Sequence, residues 1–279
     1  MDTSTSSSPS KLRRPGFPLP GVVVALAILA VLFFIVVTPG GFLTKADMVG
    51  YAVCHRIPSH SFAIAGRQLP LCARCSGTFI GALFGLFGQA VVLRRRRAAE
   101  FPSPFVLVVL TGFILLWAAD GLNSYLTLFP HAPHLYEPRN WLRLSTGALN
   151  GLAMSALVYP VFNFTLWRSP ASERAIRNLR DLGALVLLEA GLVGLVLTEW
   201  SFLLYPLALL SMLGVLVLLS CANSMLVVMI VRRENVVDRW REAAIPLLAG
   251  FTVSVIQIGV IDLARYMITG TLEGIPPLG

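Results

Sequence analysis

The chain has 279 residues, of which 56% are apolar and only 13% charged, and its mean hydropathy is +0.76. Soluble domains carry about 25% charged residues, so an ordinary soluble enzyme and a disordered regulator are both excluded. The 22 Lys and Arg outnumber the 14 Asp and Glu. In so apolar a chain that excess sets membrane orientation rather than binding nucleic acid.

Residues 1–20 are rich in Ser and Pro and carry Lys11, Arg13 and Arg14, the composition of a disordered tail. The first apolar run, 21–37, has the length of a membrane anchor. As a signal-peptide core it would be long, and Thr38-Pro39-Gly40-Gly41 offers no small-x-small cleavage site, which favours an uncleaved anchor. Further apolar runs follow at 78–93, 104–119, 144–166, 182–204, 206–231 and 245–263. A spanning helix needs about 20 apolar residues. The runs therefore predict an all-α polytopic bundle of about seven helices, a single domain over 21–266 followed by a short tail at 267–279.

Basic residues test that topology. The N-terminal tail, Arg94–Arg97, the Arg168–Arg180 stretch and the Arg232–Arg241 stretch hold 15 of the 22 cations, all on one side of the expected bundle. Positive-inside logic makes that side cytoplasmic, with the C-terminus outside. This reading describes a multi-pass protein of the cell membrane whose surrounding partner is the lipid bilayer, and it names no protein partner. Lys45, Arg56, Arg67, Arg74, Arg139, Arg143 and Arg265 fall on the outer side against the rule; such cations need fixed partners or a role in a site. The chain shows no Walker A loop, dinucleotide-type glycine turn, H-E-x-x-H or G-x-S-x-G.

The first outer loop concentrates the chemistry. Cys54-His55-Arg56-Ile57-Pro58-Ser59-His60-Ser61-Phe62 is followed by Gly66 and by Pro70-Leu71-Cys72-Ala73-Arg74-Cys75-Ser76-Gly77, so three of the four cysteines lie within 54–77. The fourth, Cys221, falls inside an apolar run as a packing residue. C-x-x-C is a chelate spacing, and zinc accepts three thiolates and one imidazole tetrahedrally. The candidate ligands are Cys54, Cys72 and Cys75 with His55 or His60; adjacent residues such as Cys54 and His55 seldom bind one ion together comfortably. Four readings stand open: a structural zinc site, a Cys72/Cys75 thiol–disulfide pair with Cys54 as resolving thiol, a catalytic metal, and a plain disulfide beside an unpaired thiol. The odd number of outer cysteines weakens the last.

Cys54-His55, Ser61-Phe62, Gly66, the Pro70-to-Cys75 run and Gly77, continued by Asp120-Gly121, Arg143, Thr146-Gly147 and Gly151, resemble DUF2085 over roughly residues 50–155. This is a family of prokaryotic membrane proteins without an assigned activity. The resemblance implies a helical membrane protein and transfers no catalytic role.

Other residues support or compete with the loop. Gly77, Gly81 and Gly85 recur every four residues, a spacing that lets helix backbones approach. Asp120 closes the third run and can pair with Arg74 or Arg143; with His131 and His134 it offers a weaker second metal set. Glu189 lies roughly 12 Å along its helix from Asp181, near the midplane, where acids mark functional sites. Asp262 and Arg265 share a helix face and can pair. Asn150, Asn223, Ser224 and Gln257 suit interhelical hydrogen bonding. Three function classes follow: a metal-dependent membrane protein, structural or hydrolytic towards a lipid-linked substrate; a thiol oxidoreductase exchanging electrons with a quinone through Cys72 and Cys75; and a transporter with Glu189 in its pathway. Arg74, Asp120, Arg143 and Glu189 are the candidate catalytic groups, and zinc is the cofactor the motif suggests.

Overall fold

A computed structural model describes residues 19–38, 40–127, 129 and 133–272. The described chain is helical: α1 (Pro20–Val37), α2 (Phe42–Val53), α3 (Ala73–Phe87), α4 (Pro104–Leu126), α5 (Asn140–Leu166), α6 (Leu179–Leu197), α7 (Leu204–Ile230) and α8 (Trp240–Thr269). Sheet is limited to an antiparallel hairpin, β1 (Ala63–Ile64) with β2 (Arg67–Gln68), and a short parallel pair, β3 (Ala98–Glu100) with β4 (Ala171–Arg174). The all-α bundle expected from the apolar runs is present.

Local signals set the helix ends. Pro20 and Pro104 open α1 and α4, where a missing N–H costs nothing. Asn178 caps α6, its Oδ1 accepting the backbone N–H groups of Arg180 and Asp181. Gly270, with φ of 70°, closes α8 in the left-handed region.

Among the described residues, six helices are long and apolar enough to cross a membrane: α1, α3 with the π turn that extends it to Val92, α4, α5, α7 with the 3-10 turn before it, and α8. The expected seventh, α6, has 19 residues but carries Arg180, Asp181 and Glu189. It nevertheless runs the length of the bundle. Leu182 and Leu185 pack with Val106, Leu110 and Ile176 near one end, and Val196 packs with Leu203, Leu207 and Leu144 near the other.

The tightest helix pair is α3 with α5. A Cβ at Gly77 would stand 2.2 Å from the Leu144 carbonyl oxygen, and one at Gly147 would stand 2.3 Å from that of Arg74; Gly81 and Gly151 are similarly closed. The glycine stripe of α3 thus meets a second stripe on α5, and the two backbones touch directly.

The loops after α3, α5 and α7 converge at one end. β3 pairs with β4, Trp167 bridges to Val237, and Asp238 receives the Arg168 guanidinium at 2.6 Å. Arg97 lies 4.3 Å over the Trp167 ring, and Arg95 reaches Glu173 at 2.6 Å. These are the arginine-rich loops, so one end of the bundle is strongly basic.

Several boundaries differ from the hydropathy reading. α4 continues to Leu126, so Asp120 sits inside a helix rather than ending it. Asp120, Asn123 and Ser124 interrupt the apolar run, but all three are buried against other parts of the protein. α2 was not expected. Its 12 residues are too short for a hydropathy signal, and it buries Ala46, Val49, Gly50 and neighbours at helical spacing. Asp262 and Arg265 do not form an ion pair. Arg265 instead donates to the Tyr51 carbonyl and, at 2.8 Å, to the Cys54 carbonyl, with its guanidinium 3.9 Å over the Tyr51 ring.

Candidate metal centre

The three loop cysteines meet at the end of the bundle opposite the basic loops. Cys72 is the N-cap of α3 and Cys75 lies in its first turn, so the C-x-x-C spacing places both sulfurs at one helix N-terminus. That end of a helix favours negative charge and so favours thiolate. Cys54 arrives from the C-terminus of α2. Its approach depends on Gly50, where a Cβ would stand 2.0 Å from the Pro70 carbonyl oxygen, and on Arg265, which anchors the carbonyls at the end of α2.

The ligand atoms of Cys54, His55 and Cys72 all lie within 4.8 Å of one another. The Cys54 sulfur also accepts the backbone N–H of Cys72 at 3.3 Å and of Arg56 at 3.4 Å. The Cys72 and Cys75 thiols both donate towards it, which holds Cys54 well below the usual thiol range despite its burial. Cys72 is pushed up to about 12, chiefly by that same bond to Cys54. All four cysteines are free of disulfides. Cys54 and Cys72 are 4% and 2% exposed, packed among Val49, Leu71, Val215 and Ile258; Cys221 lies apart, against Phe162 and Val228.

His55 Nδ1 accepts the Ile57 N–H at 3.1 Å, so the lone pair of the neutral ring is on Nδ1. Burial lowers the pKa of His55, and that of His60 falls to about 4 through burial and then the Arg143 charge. Both rings are therefore neutral near pH 7, the form that binds a metal. The two rings touch edge to face at 5.5 Å, which puts His60 beside His55 rather than in its place.

A polar network lies alongside. Arg74, between the two cysteines of the motif, donates to Asp120 Oδ2 through Nε at 3.1 Å and Nη2 at 2.5 Å. Asp120 is 2% exposed and also accepts the Tyr136 hydroxyl at 2.8 Å and the Thr146 hydroxyl at 3.4 Å. Ser124 Oγ receives Arg74 and Arg143, and Arg143 donates to Asn140 Oδ1 at 2.8 Å. Of the two expected partners for Asp120, Arg74 makes the ion pair. Asp47 on α2 completes the surroundings by pairing with Arg56 at 2.9 Å and Arg67 at 2.8 Å. Asp47, Ser124 and Tyr136 were not singled out from the sequence; the only signal for them was the unexplained set of outer cations that they and their neighbours satisfy.

The remaining candidates fall elsewhere. Glu189 is buried on α6 beside Ser76, Gly77 and Gly81, with no hydrogen-bond partner at either carboxylate oxygen among the described residues and room nearby for a single water-sized guest. The second metal set does not assemble among the described residues: Asp120 is taken by Arg74 and Tyr136, His134 pairs with Glu137 at 3.0 Å, and His131 lies outside the described residues. Asn223 bonds across to Ser254 and Gln257 on α8 as expected, whereas Asn150 bonds within its own helix to Met154.

The profile of DUF2085, described as predicted membrane proteins, matches residues 54–157, the stretch from Cys54 through most of α5. An uncharacterised protein of Methanocaldococcus jannaschii is 27% identical over 110 residues, 39% of this chain and 64% of the relative. An uncharacterised protein of Methanothermobacter thermautotrophicus is 31% identical over 105 residues, 38% of this chain and 83% of the relative. No solved structure matches the chain. The shared stretch carries the cysteine motif, the paired glycine helices and the Arg74–Asp120 network, and this chain belongs to the DUF2085 family of membrane proteins.

Proposed function

We propose that Cys54, Cys72, Cys75 and His55 hold one zinc ion at the extracytoplasmic end of a cell-membrane helix bundle, and that this ion clamps α2 and its following loop onto the N-terminus of α3. The observation that carries the reading is the convergence of the Cys54, His55 and Cys72 ligand atoms within 4.8 Å. A zinc tetrahedron with Zn–S bonds of about 2.3 Å has edges of about 3.8 Å, so small side-chain rotations would bring these three atoms to coordinating distance. Binding through His55 Nδ1 replaces its bond from the Ile57 N–H.

Cys75, whose thiol bonds to those of Cys54 and Cys72, would be the fourth ligand, and a shell closed by four protein ligands is the structural type rather than the hydrolytic one. Burial of Cys54 and Cys72 argues in the same direction against disulfide exchange with a partner protein, because an attacking thiol must reach the sulfur. The convergence of the arginine-rich loops at the opposite end supports the orientation, with the metal outside. Transport through Glu189 has less support, since that carboxyl is sealed among α3, α5 and α6.

Elemental analysis of the purified full chain tests the proposal. One zinc per chain, lost in Cys72→Ser and Cys75→Ser, is expected. A metal-free protein whose loop thiols are alkylated in the folded state overturns it.

A further inference from the structure

α1 leans on α8, and between them runs a groove of about 430 Å³ lined by Ala30, Phe34, Val255, Gly259, Asp262 and Tyr266 among others. Along α8 the stretch from Val255 to Tyr266 is about 16 Å long, lies inside a membrane-spanning helix and follows the direction of lipid chains. Its walls are apolar except for Thr38, Tyr266 and Asp262. Asp262 is 9% exposed, and its Oδ1 is buried with no hydrogen-bond partner among the described residues.

The natural partner one turn away, Arg265, is committed to the carbonyls of Tyr51 and Cys54 and to the Tyr51 ring. A carboxyl group left bare in an apolar site is costly; Oδ1 is closed off, so Oδ2, the less buried of the two oxygens, is the atom that a hydrogen-bond donor in the groove would meet. Asp262 lies about 10 Å before the end of α8 at Thr269, beneath the headgroup layer, where a compact head fits. The carboxylate repels a phosphate. Gly259 leaves the floor open: a Cβ there would meet nothing within 4 Å.

We propose that this groove binds a membrane amphiphile with one apolar chain and a hydroxyl head, the chain lying against Phe34, Val255 and Gly259 and the hydroxyl donating to Asp262. The site stands mainly on α1 and α8, with Met48 of α2 also lining it, and takes no side chain from the Cys54 cluster.

The test uses the full chain in detergent micelles with two photoreactive probes, a diazirine-bearing hexadecanol and its methyl ether, followed by mass-spectrometric mapping of the adducts. The alcohol is expected to label α1 and α8 residues of the groove about fivefold more than the ether, the effect of one net hydrogen bond. Gly259→Phe, which puts a ring into the groove from a position where a Cβ meets nothing within 4 Å, should abolish that labelling. Asp262→Ala should bring the alcohol down to the level of the ether. Equal labelling by alcohol and ether in the unaltered protein, or groove labelling that survives Gly259→Phe, overturns the proposal. Size-exclusion elution and zinc content of each variant show that the bundle is intact, and zinc retained while labelling fails separates this result from the metal reading.

Discussion

Asp120 shows how strongly single residues are determined at this end of the bundle. Its carboxylate faces two guanidiniums, the half-buried Arg74, which it pairs with, and the buried Arg143, which among the described residues bonds to Ser124 and Asn140 oxygens. Asp120→Asn leaves both cations without a counter-charge. Removing one member of a buried pair costs about 3–5 kcal/mol, whereas replacing the whole pair with apolar groups is often neutral. Thermal unfolding in detergent should therefore show a large loss of stability for Asp120→Asn and substantial recovery in the double variant Arg74→Met, Asp120→Leu. A double variant no more stable than the single one would show that the network does more than balance charge. At the same scale, Tyr51 holds Arg265 in place, so Arg265→Gln should loosen the end of α2 and weaken zinc retention, whereas Arg139→Gln, on a cation for which no ion pair forms among the described residues, should leave zinc content unchanged.

Among the elements, the α3–α5 pair is the rigid frame. Gly77→Ala places a methyl group 2.2 Å from the Leu144 carbonyl oxygen, which backbone cannot yield cheaply. Overpacking of this kind costs about 1–3 kcal/mol or more, and Gly147→Ala should do the same from the other helix. Gly112→Ala on α4 meets nothing within 4 Å and should be neutral or slightly stabilising through helix propensity; equal melting temperatures for Gly77→Ala and Gly112→Ala would contradict direct backbone contact. The glycine stripe was readable beforehand because its period of four is a local property of one helix. The end of α4 was not, because Asp120 and Ser124 look like a polar boundary until their partners arrive from α3 and α5. α2 was invisible for a related reason: its partners, Pro70 and Arg265, are distant in sequence. The same holds for the site. Cys72 and Cys75 have a chelate spacing in the sequence alone, but only the fold brings Cys54 and His55, with His60 beside it, together with Cys72.

For the molecule as a whole, two ends with opposite chemistry define the architecture. One gathers the arginine-rich loops over Trp167 and Asp238, and the other gathers the thiols under α2 and the β1–β2 hairpin, whose neighbours Phe62 and Leu69 anchor it to α6 and α7. Orientation is checked by labelling intact cells with a membrane-impermeant maleimide: Glu137→Cys should react at once and Arg174→Cys only after permeabilisation, and the reverse order would invert the topology. The central claim is that the thiol end is tied together by a closed metal shell. X-ray absorption at the zinc edge of the purified full chain tests it most directly. The account predicts three sulfur neighbours at about 2.3 Å and one nitrogen at about 2.0–2.1 Å, while a shell dominated by oxygen, or no zinc to measure, would contradict it.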